Sequence, residues 1–443
     1  MSTRGWLFVL LLLLLCGGGV FAWLRFEGTA PTVTGPEEIV FGADGGSVPL
    51  ELSDAGTGLR SVDVVLAHAG GEIPLASETY PGGLMSGALR GEAPETIEVA
   101  IPPDTLPRGV SDAFLRVSVR DWSWNDGLLG NETQWDIPLT IDRVPPHVSI
   151  ATGLTYIKRG GAAAVLYRLS EETVRDGVLV GETLFPSYPV GDWRAVVYAV
   201  PVHAPPNPDV RVLAEDRAGN VTRARWPVVV KERGLPAANV TLPASFLELT
   251  VPDLAAVEGI DAPDPSAAFK IINTDLRAQN EERIREIVSD SAPEKLWDGA
   301  FEQLENSQVT SRFAEERTYF VSGKPNSQAT HYGYDLASTR AAPITAAASG
   351  RVLYAGPLGI YGNCVLVDHG LGVTTLYGHL SRVDVSAGDP VEQGQTLGLS
   401  GATGLAGGDH LHFAVLVGHT YVDPLEWWDA KWVRENVEAR LTP

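Results

Sequence analysis

The hydrophobic pattern changes character several times along the chain. Gly5 to Leu24 is an uninterrupted apolar stretch without a charge, flanked by Arg4 and Arg25. As a helix rising about 1.5 Å per residue, it is long enough to cross a hydrocarbon layer of about 30 Å. From 28 to 232 the apolar residues fall into short runs with partial two-residue alternation, such as Ser61 to Leu66 and Leu115 to Val119. Clusters of Gly, Pro, Asn and Asp separate these runs. That pattern predicts strands joined by turns. Residues 233–263 are rich in Pro and Ala, with one strand predicted at Phe246 to Val251; they read as a linker or as a strand that docks elsewhere. Helical spacing follows. Asp264 and Pro265 form an N-cap and first-turn pair, and Phe269, Ile272, Leu276, Ile284, Ile287 and Val288 supply one apolar face. Ser291 and Glu294 match a capping box and predict a second helix carrying Leu296, Trp297, Phe301 and Leu304, completing a helical hairpin. From Gln308 onward the chain is again strand-rich and punctuated by glycine.

The first β-rich region contains a weak internal repeat. One module opens with Pro31 to Thr34 and the next with Pro146 to Ser149. Near the end of each, an aspartate-led turn follows a strand, at Asp121 and at Asp216. Two modules of this strand density fit β-sandwiches and resemble bacterial immunoglobulin-like modules by pattern alone. The expected architecture is therefore mainly β. It comprises a membrane-type segment (1–27), two immunoglobulin-like sandwiches (28–143 and 144–232), a linker with a helical hairpin (233–307), and a C-terminal antiparallel β-sheet domain (308–443).

Composition narrows the function classes. At 443 residues, several domains are expected. Acidic residues outnumber basic ones 55 to 33, for a net charge of −22. Nucleic acid is excluded as a partner on this balance, because phosphate binding needs clustered Lys and Arg. The two cysteines, Cys16 and Cys364, lie far apart and predict no disulfide framework. The N-terminal apolar segment has two readings: an uncleaved anchor, or a cleaved signal peptide. Either one predicts a body outside the cytoplasm, in the periplasm or at the cell exterior, membrane-anchored in the first case and secreted in the second.

Six of the nine histidines lie in the last region. His331 and Asp335 are four residues apart, with Gly333 between them disfavouring a regular helix. His410 and His412 are two apart in a predicted strand, so their imidazoles share a face. His379 sits between these pairs. No HExxH helix is present. A zinc centre with three protein ligands and one open position needs imidazole nitrogens at about 2.0–2.1 Å and a carboxylate oxygen at about 2.0–2.2 Å. His331, Asp335 and one histidine of the 410/412 pair satisfy that count. The other histidine of the pair, with His379, is left for proton transfer.

This segment resembles the lysostaphin/LytM-like zinc peptidoglycan endopeptidases. The likeness runs from Phe313 to Trp427 through His331-Tyr332-Gly333-Tyr334-Asp335, Ala348-Ser349-Gly350, Tyr361-Gly362-Asn363, Tyr377-Gly378-His379, Gly401-Ala402-Thr403-Gly404 and His410-Leu411-His412-Phe413, ending at Val422-Asp423-Pro424. The resemblance implies a split-barrel metallopeptidase fold and a Zn2+ cofactor. His331, Asp335 and His412 would be the ligands, and His379 and His410 the catalytic histidines. It implies peptidoglycan crosslinks or stem peptides as substrate. Asp409 and Ala414 depart from the family pattern, where Pro and Glu are usual.

Rival readings remain. Family members that lost their ligands act as non-enzymatic regulators that bind and activate a cell-wall amidase; here the full set is present. A regulatory protein partner and other protein substrates stay open. Among neighbouring residues, His369 reads as structural, His419 as a surface turn residue and Cys364 as core. Tyr332, Tyr334 and Tyr377 line the cleft or pack. Arg317 contacts a substrate carboxylate or forms a structural ion pair. The structured chain upstream either covers the cleft or sets reach as a stalk.

Overall fold

The amphipathic runs between the N-terminal helix and residue 142 close into two sheets over one core. The structure, a computed structural model, describes residues 3–88, 94–105, 109–110 and 112–442. These form two compact units, residues 1–145 with 215–221 and residues 146–214 with 222–443. The outermost residues of the predicted first and last segments lie outside the described ones.

The first unit begins with the helix Thr3–Arg25. Its stretch Gly5–Arg25 has a mean hydropathy of 2.6 and no buried face, so it is long and apolar enough to cross a membrane; a signal sequence meets the same criterion. A three-stranded sheet (Thr32–Thr34, Gly46–Ser53, Glu95–Ile101) and a five-stranded sheet (Ile39–Phe41, Glu132–Ile141, Asp112–Asp121, Leu59–His68, Gly71–Thr79) follow. Alternation does the packing: Val48, Leu50 and Leu52 from the smaller sheet share a core with Val62, Val64, Leu66, Leu115, Val117 and Val119 from the larger. The buried carboxylate of Asp121 accepts the backbone N–H groups of Ser123 and Asn131, and that of Asp216 accepts those of Ala218 and Asn220. The repeated turns are thus Asx-type turns that satisfy backbone donors.

The second unit holds its own β-layers and the C-terminal domain. Gly161–Leu169 and Trp193–Val200 pair antiparallel in one four-stranded sheet, and their buried positions run almost without a break instead of alternating. The sheet is covered on both faces. Residues from Val148 to Val437 accordingly belong to one continuous core.

Two predictions between 233 and 307 are overturned. Phe246–Thr250 and Val251–Val257 are helical, not a strand, because Leu247, Val251, Leu254 and Ala255 recur at helical spacing and pack inward. The docking strand is instead Ala237–Thr241, which lies parallel to Glu315–Val321. Residues 291–304 form no helix. Their capping-box donors are taken by the sheet domain. The Ser291 hydroxyl and the Ala292 N–H both donate to Asp368, at 2.6 and 2.8 Å, and the N–H groups of Leu296, Phe301 and Glu302 donate to the carbonyls of His369, Trp427 and Ala347. Trp297 and Phe301 are buried against Trp427 in this extended form. The helical pair exists, but its arms are 246–257 and 265–288.

The C-terminal domain is built on an antiparallel sheet in the order Gln308–Ser311, Tyr334–Ala337, Leu411–Val417, Val373–Leu380, Asn363–Asp368, Gly350–Pro357, Pro390–Val391, with Thr420–Val422 beside Leu411–Val417. A smaller antiparallel sheet joins Pro343–Thr345, Thr396–Leu399 and Arg382–Val383.

Candidate metal centre

Strand register brings the histidines together. Asp335 lies directly opposite His412, and His412 lies opposite Gly378, the neighbour of His379. His331 ends the strand Lys324–His331, three residues before Tyr334–Ala337 starts. His410 bridges to Gly401 just before the strand Leu411–Val417. All five predicted site residues line one cavity of about 230 Å³.

Three of them converge on a point. His331 Nε2 is 3.0 Å from Asp335 Oδ1 and 3.1 Å from His412 Nδ1, and His412 Nδ1 is 3.0 Å from the same Asp335 oxygen. His331 Nδ1 donates to the Arg312 carbonyl at 2.9 Å, so its Nε2 carries a lone pair aimed at the other two atoms. His412 Nε2 is buried without a hydrogen-bond partner, leaving Nδ1 as the engaged nitrogen of that ring. One proton on His412 cannot satisfy all three contacts; a single cation can. A tetrahedral metal ion with bonds of about 2.0–2.2 Å holds its ligands roughly 3.3–3.5 Å apart, close to the spacing found. These three residues therefore fit a divalent metal ion.

The surroundings keep Asp335 anionic and His412 neutral. Burial alone would raise the Asp335 pKa, but the imidazoles of His331, His410 and His412 packed around it hold it well below the usual carboxylate range. Burial, reinforced by His331 and His410, lowers His412 to about 4. Arg317 is fixed on Asp335 Oδ2 at 3.2 Å, and it also holds Ser311 and Glu315. Its structural reading is the one observed, since it positions Asp335.

The remaining two histidines are posed alike. His379 Nδ1 donates to the Thr403 carbonyl and His410 Nδ1 to the Gly408 carbonyl, each at 2.8 Å, so Nε2 is the ring nitrogen each turns to the cavity, that of His410 at 3.6 Å from Asp335 Oδ1. Their rings lie 4.8 Å apart. His379 adopts φ +65°, a left-handed backbone that turns its ring off the strand and into the cavity. Gly404, at φ +72°, packs its Cα against the Gly362 N–H, where a Cβ would come within 2.3 Å, and this close approach shapes the loop that carries Thr403.

Other expectations resolve individually. His369 is fully buried between the Ser349 carbonyl and the Thr375 hydroxyl, and burial pushes its pKa down to about 4. His419 is exposed in a turn and Cys364 is core. The Tyr377 hydroxyl accepts from the Ala347 N–H and the Thr375 hydroxyl within the core, Tyr334 packs on Trp428 and Tyr332 stacks on Tyr421. Asp409 ties its loop by accepting from Ser400 and Ala341. Ala414 is buried opposite Leu376. Sequence reasoning missed the far wall of the cavity, formed by Val240, Leu242, Phe246 and Phe269 from upstream of the sheet domain, together with Arg277. The sequence signal for that wall was the 265–288 segment, whose apolar face is interrupted by Asn273, Arg277, Asn280 and Glu281.

Residues 329–424 match the description of Peptidase family M23. A stretch of 119 residues is 35% identical to the peptidoglycan DD-endopeptidase ShyB of Vibrio cholerae, covering 27% of each chain. A stretch of 95 residues is 38% identical to the DD-carboxypeptidase/endopeptidase Mpg of Neisseria meningitidis, covering 21% of this chain and 22% of that one. The chain thus spans about a quarter of the length of the curated relatives it matches. Among solved structures, the catalytic domain of the antimicrobial peptidase lysostaphin from Staphylococcus simulans is 28% identical, covering 30% of this chain and 98% of that one, with a TM-score of 0.25. The matched segment contains all five of these cavity-lining side chains, and the C-terminal domain of this chain is a Peptidase family M23 domain.

Proposed function

We propose that this protein is a zinc endopeptidase that hydrolyses peptide bonds in the crosslinks or stem peptides of bacterial peptidoglycan. The observation that carries the reading is the triangle of His331 Nε2, Asp335 Oδ1 and His412 Nδ1, three lone-pair atoms 3.0–3.1 Å apart. Similarity to a peptidoglycan DD-endopeptidase supports the substrate class. His331, Asp335 and His412 would hold the ion. Zinc bound there supplies Lewis-acid polarisation of the scissile carbonyl and acidification of water.

The chain's own residues do the rest. Arg317 and the strand register fix Asp335, and the Arg312 carbonyl fixes the His331 tautomer. His379 and His410, each with Nδ1–H anchored on a carbonyl, present Nε2 to the cavity. That arrangement suits accepting a proton from the attacking water and returning it to the leaving amine. The N-terminal apolar helix, long enough for an anchor and equally a signal sequence, supports a body outside the cytoplasm.

The test is mass spectrometry of peptidoglycan fragments after digestion by the wild type and by His331→Ala. New peptide ends are expected from the wild type alone. Identical fragment sets from both proteins overturn the reading.

A further inference from the structure

The helical segment upstream of the sheet domain interrupts its apolar face with polar side chains. Asn273, Arg277, Asn280 and Glu281 recur at i, i+4, i+7 and i+8 beside the buried Ile272, Leu276 and Ile284. A π-turn at Ile272–Leu276 precedes the α-helix Arg277–Val288, and such turns are frequent where a helix carries function. Three of these polar side chains are spent. Asn280 Oδ1 accepts the Ile360 N–H at 2.9 Å, and Glu281 accepts the Tyr361 hydroxyl at 2.7 Å. Asn273, 2% exposed, donates to Ser327 and turns its oxygen toward Arg277 Nη2 at 2.9 Å.

Arg277 is different. Its guanidinium lines the same cavity as the metal-centre residues and its Nε is buried without a hydrogen-bond partner; its charge is felt by the buried Glu281 one turn along, but among the described residues no carboxylate lies within 4.0 Å to form an ion pair with it. Arg317, the other guanidinium of the cavity, is committed to Asp335 and Glu315. A buried N–H with no acceptor is costly, and the apolar wall of Leu242, Phe246 and Phe269 strengthens any charge pairing made there. A guanidinium with a free edge matches a carboxylate in planar, two-bond geometry.

We propose that Arg277 binds a carboxylate of the peptide substrate, so that the upstream helix supplies a specificity residue to the metal centre. The inference rests on the peptidase reading for the identity of the ligand. It makes residues 273–277 part of the substrate site, although they lie outside the family match at 329–424. Asn273 is the positioning residue that aims the guanidinium.

The test is binding of a peptidoglycan stem tetrapeptide with free carboxylates, and of the same peptide with its carboxylates amidated, to the full chain in detergent. The wild type is expected to bind the acidic peptide about 10- to 100-fold more tightly than the amidated one, the range for a hydrogen-bonded charge pair. Arg277→Met is expected to bring that ratio near one, with Arg277→Lys in between; Arg277→Gln, which keeps a donor for Asn273, serves if the Met variant does not fold. A wild type without preference, failure of both peptides to bind, or a preference retained by the Met and Gln variants overturns the proposal. Wall digestion is scored separately. A wild type that prefers the acidic peptide yet releases no fragments keeps Arg277 as a carboxylate site and removes the peptidase reading.

Discussion

Glu426 offers the most quantitative test of how the sheet domain is held in the second unit. It lies in the short helix Pro424–Trp428 and accepts the Ala162 N–H at 3.0 Å. Burial raises its pKa from 4.5 to about 7; Asp423 adds to the rise, and Arg233, Lys158 and the Ala162 bond oppose it. A raised folded pKa means that the folded state holds its proton more tightly than the unfolded one. Stability from this group is therefore full below about pH 4.5 and is lost progressively as the pH rises to about 7. At about 1.4 kcal/mol per pH unit the difference reaches about 3 kcal/mol, and water at the partly exposed edge reduces it to about 2 kcal/mol. Glu426→Gln keeps an acceptor for Ala162 without the charge, so the variant should match the wild type at pH 4.5 and exceed it at pH 8. The assay is thermal melting of both full chains across that range. The gap between the two melting curves isolates Glu426, because every other titrating group is common to both. Parallel pH profiles would refute the assignment of a buried, hard-to-ionise carboxyl.

Two further outcomes follow from the same contacts. Arg317→Ala removes the donor on Asp335 Oδ2 and should weaken metal affinity by about 10- to 100-fold, measured by chelator competition; unchanged affinity would show that Asp335 is positioned by strand register alone. A chain truncated to begin at Gln308 loses the strand Ala237–Thr241 and, among other buried side chains, the six large ones Phe269, Ile272, Leu276, Ile284, Trp297 and Phe301. At about 1.5–3 kcal/mol each, that exceeds much of a typical domain stability of 5–15 kcal/mol. Such a chain should therefore melt far lower or fail to stay soluble, and one that melts where the full protein does would refute this packing role.

What the sequence disclosed depended on the range of the interaction that decided each element. The candidate site residues were legible because His331 with Asp335, and His410 with His412, are near neighbours in the chain; even spacing puts the 410/412 pair on one face, whereas His331 and Asp335 meet across the break at Tyr332 and Gly333 between two strands. The sandwich strands of the first unit were legible for the same reason, since one face meets a core and the other water. The segment at 291–304 failed because a capping box is a local bid for the backbone donors of one turn. Asp368, about 77 residues away, makes the stronger bid with a buried carboxylate that accepts both the Ser291 hydroxyl and the Ala292 N–H. The cavity wall failed differently. Phe269 reads as one more core position of an amphipathic helix, and nothing local says that the core it faces is a cleft. Arg277 carried the missing information. A helix that needs only to bury a stripe has no use for Asn273, Arg277, Asn280 and Glu281 along it, because each polar group costs desolvation unless a partner is supplied. Three of the four have partners in the sheet domain or in one another, so the interrupted stripe marks a helix shaped by what it faces; the unpaired edge of the fourth points to an acceptor that arrives with the substrate.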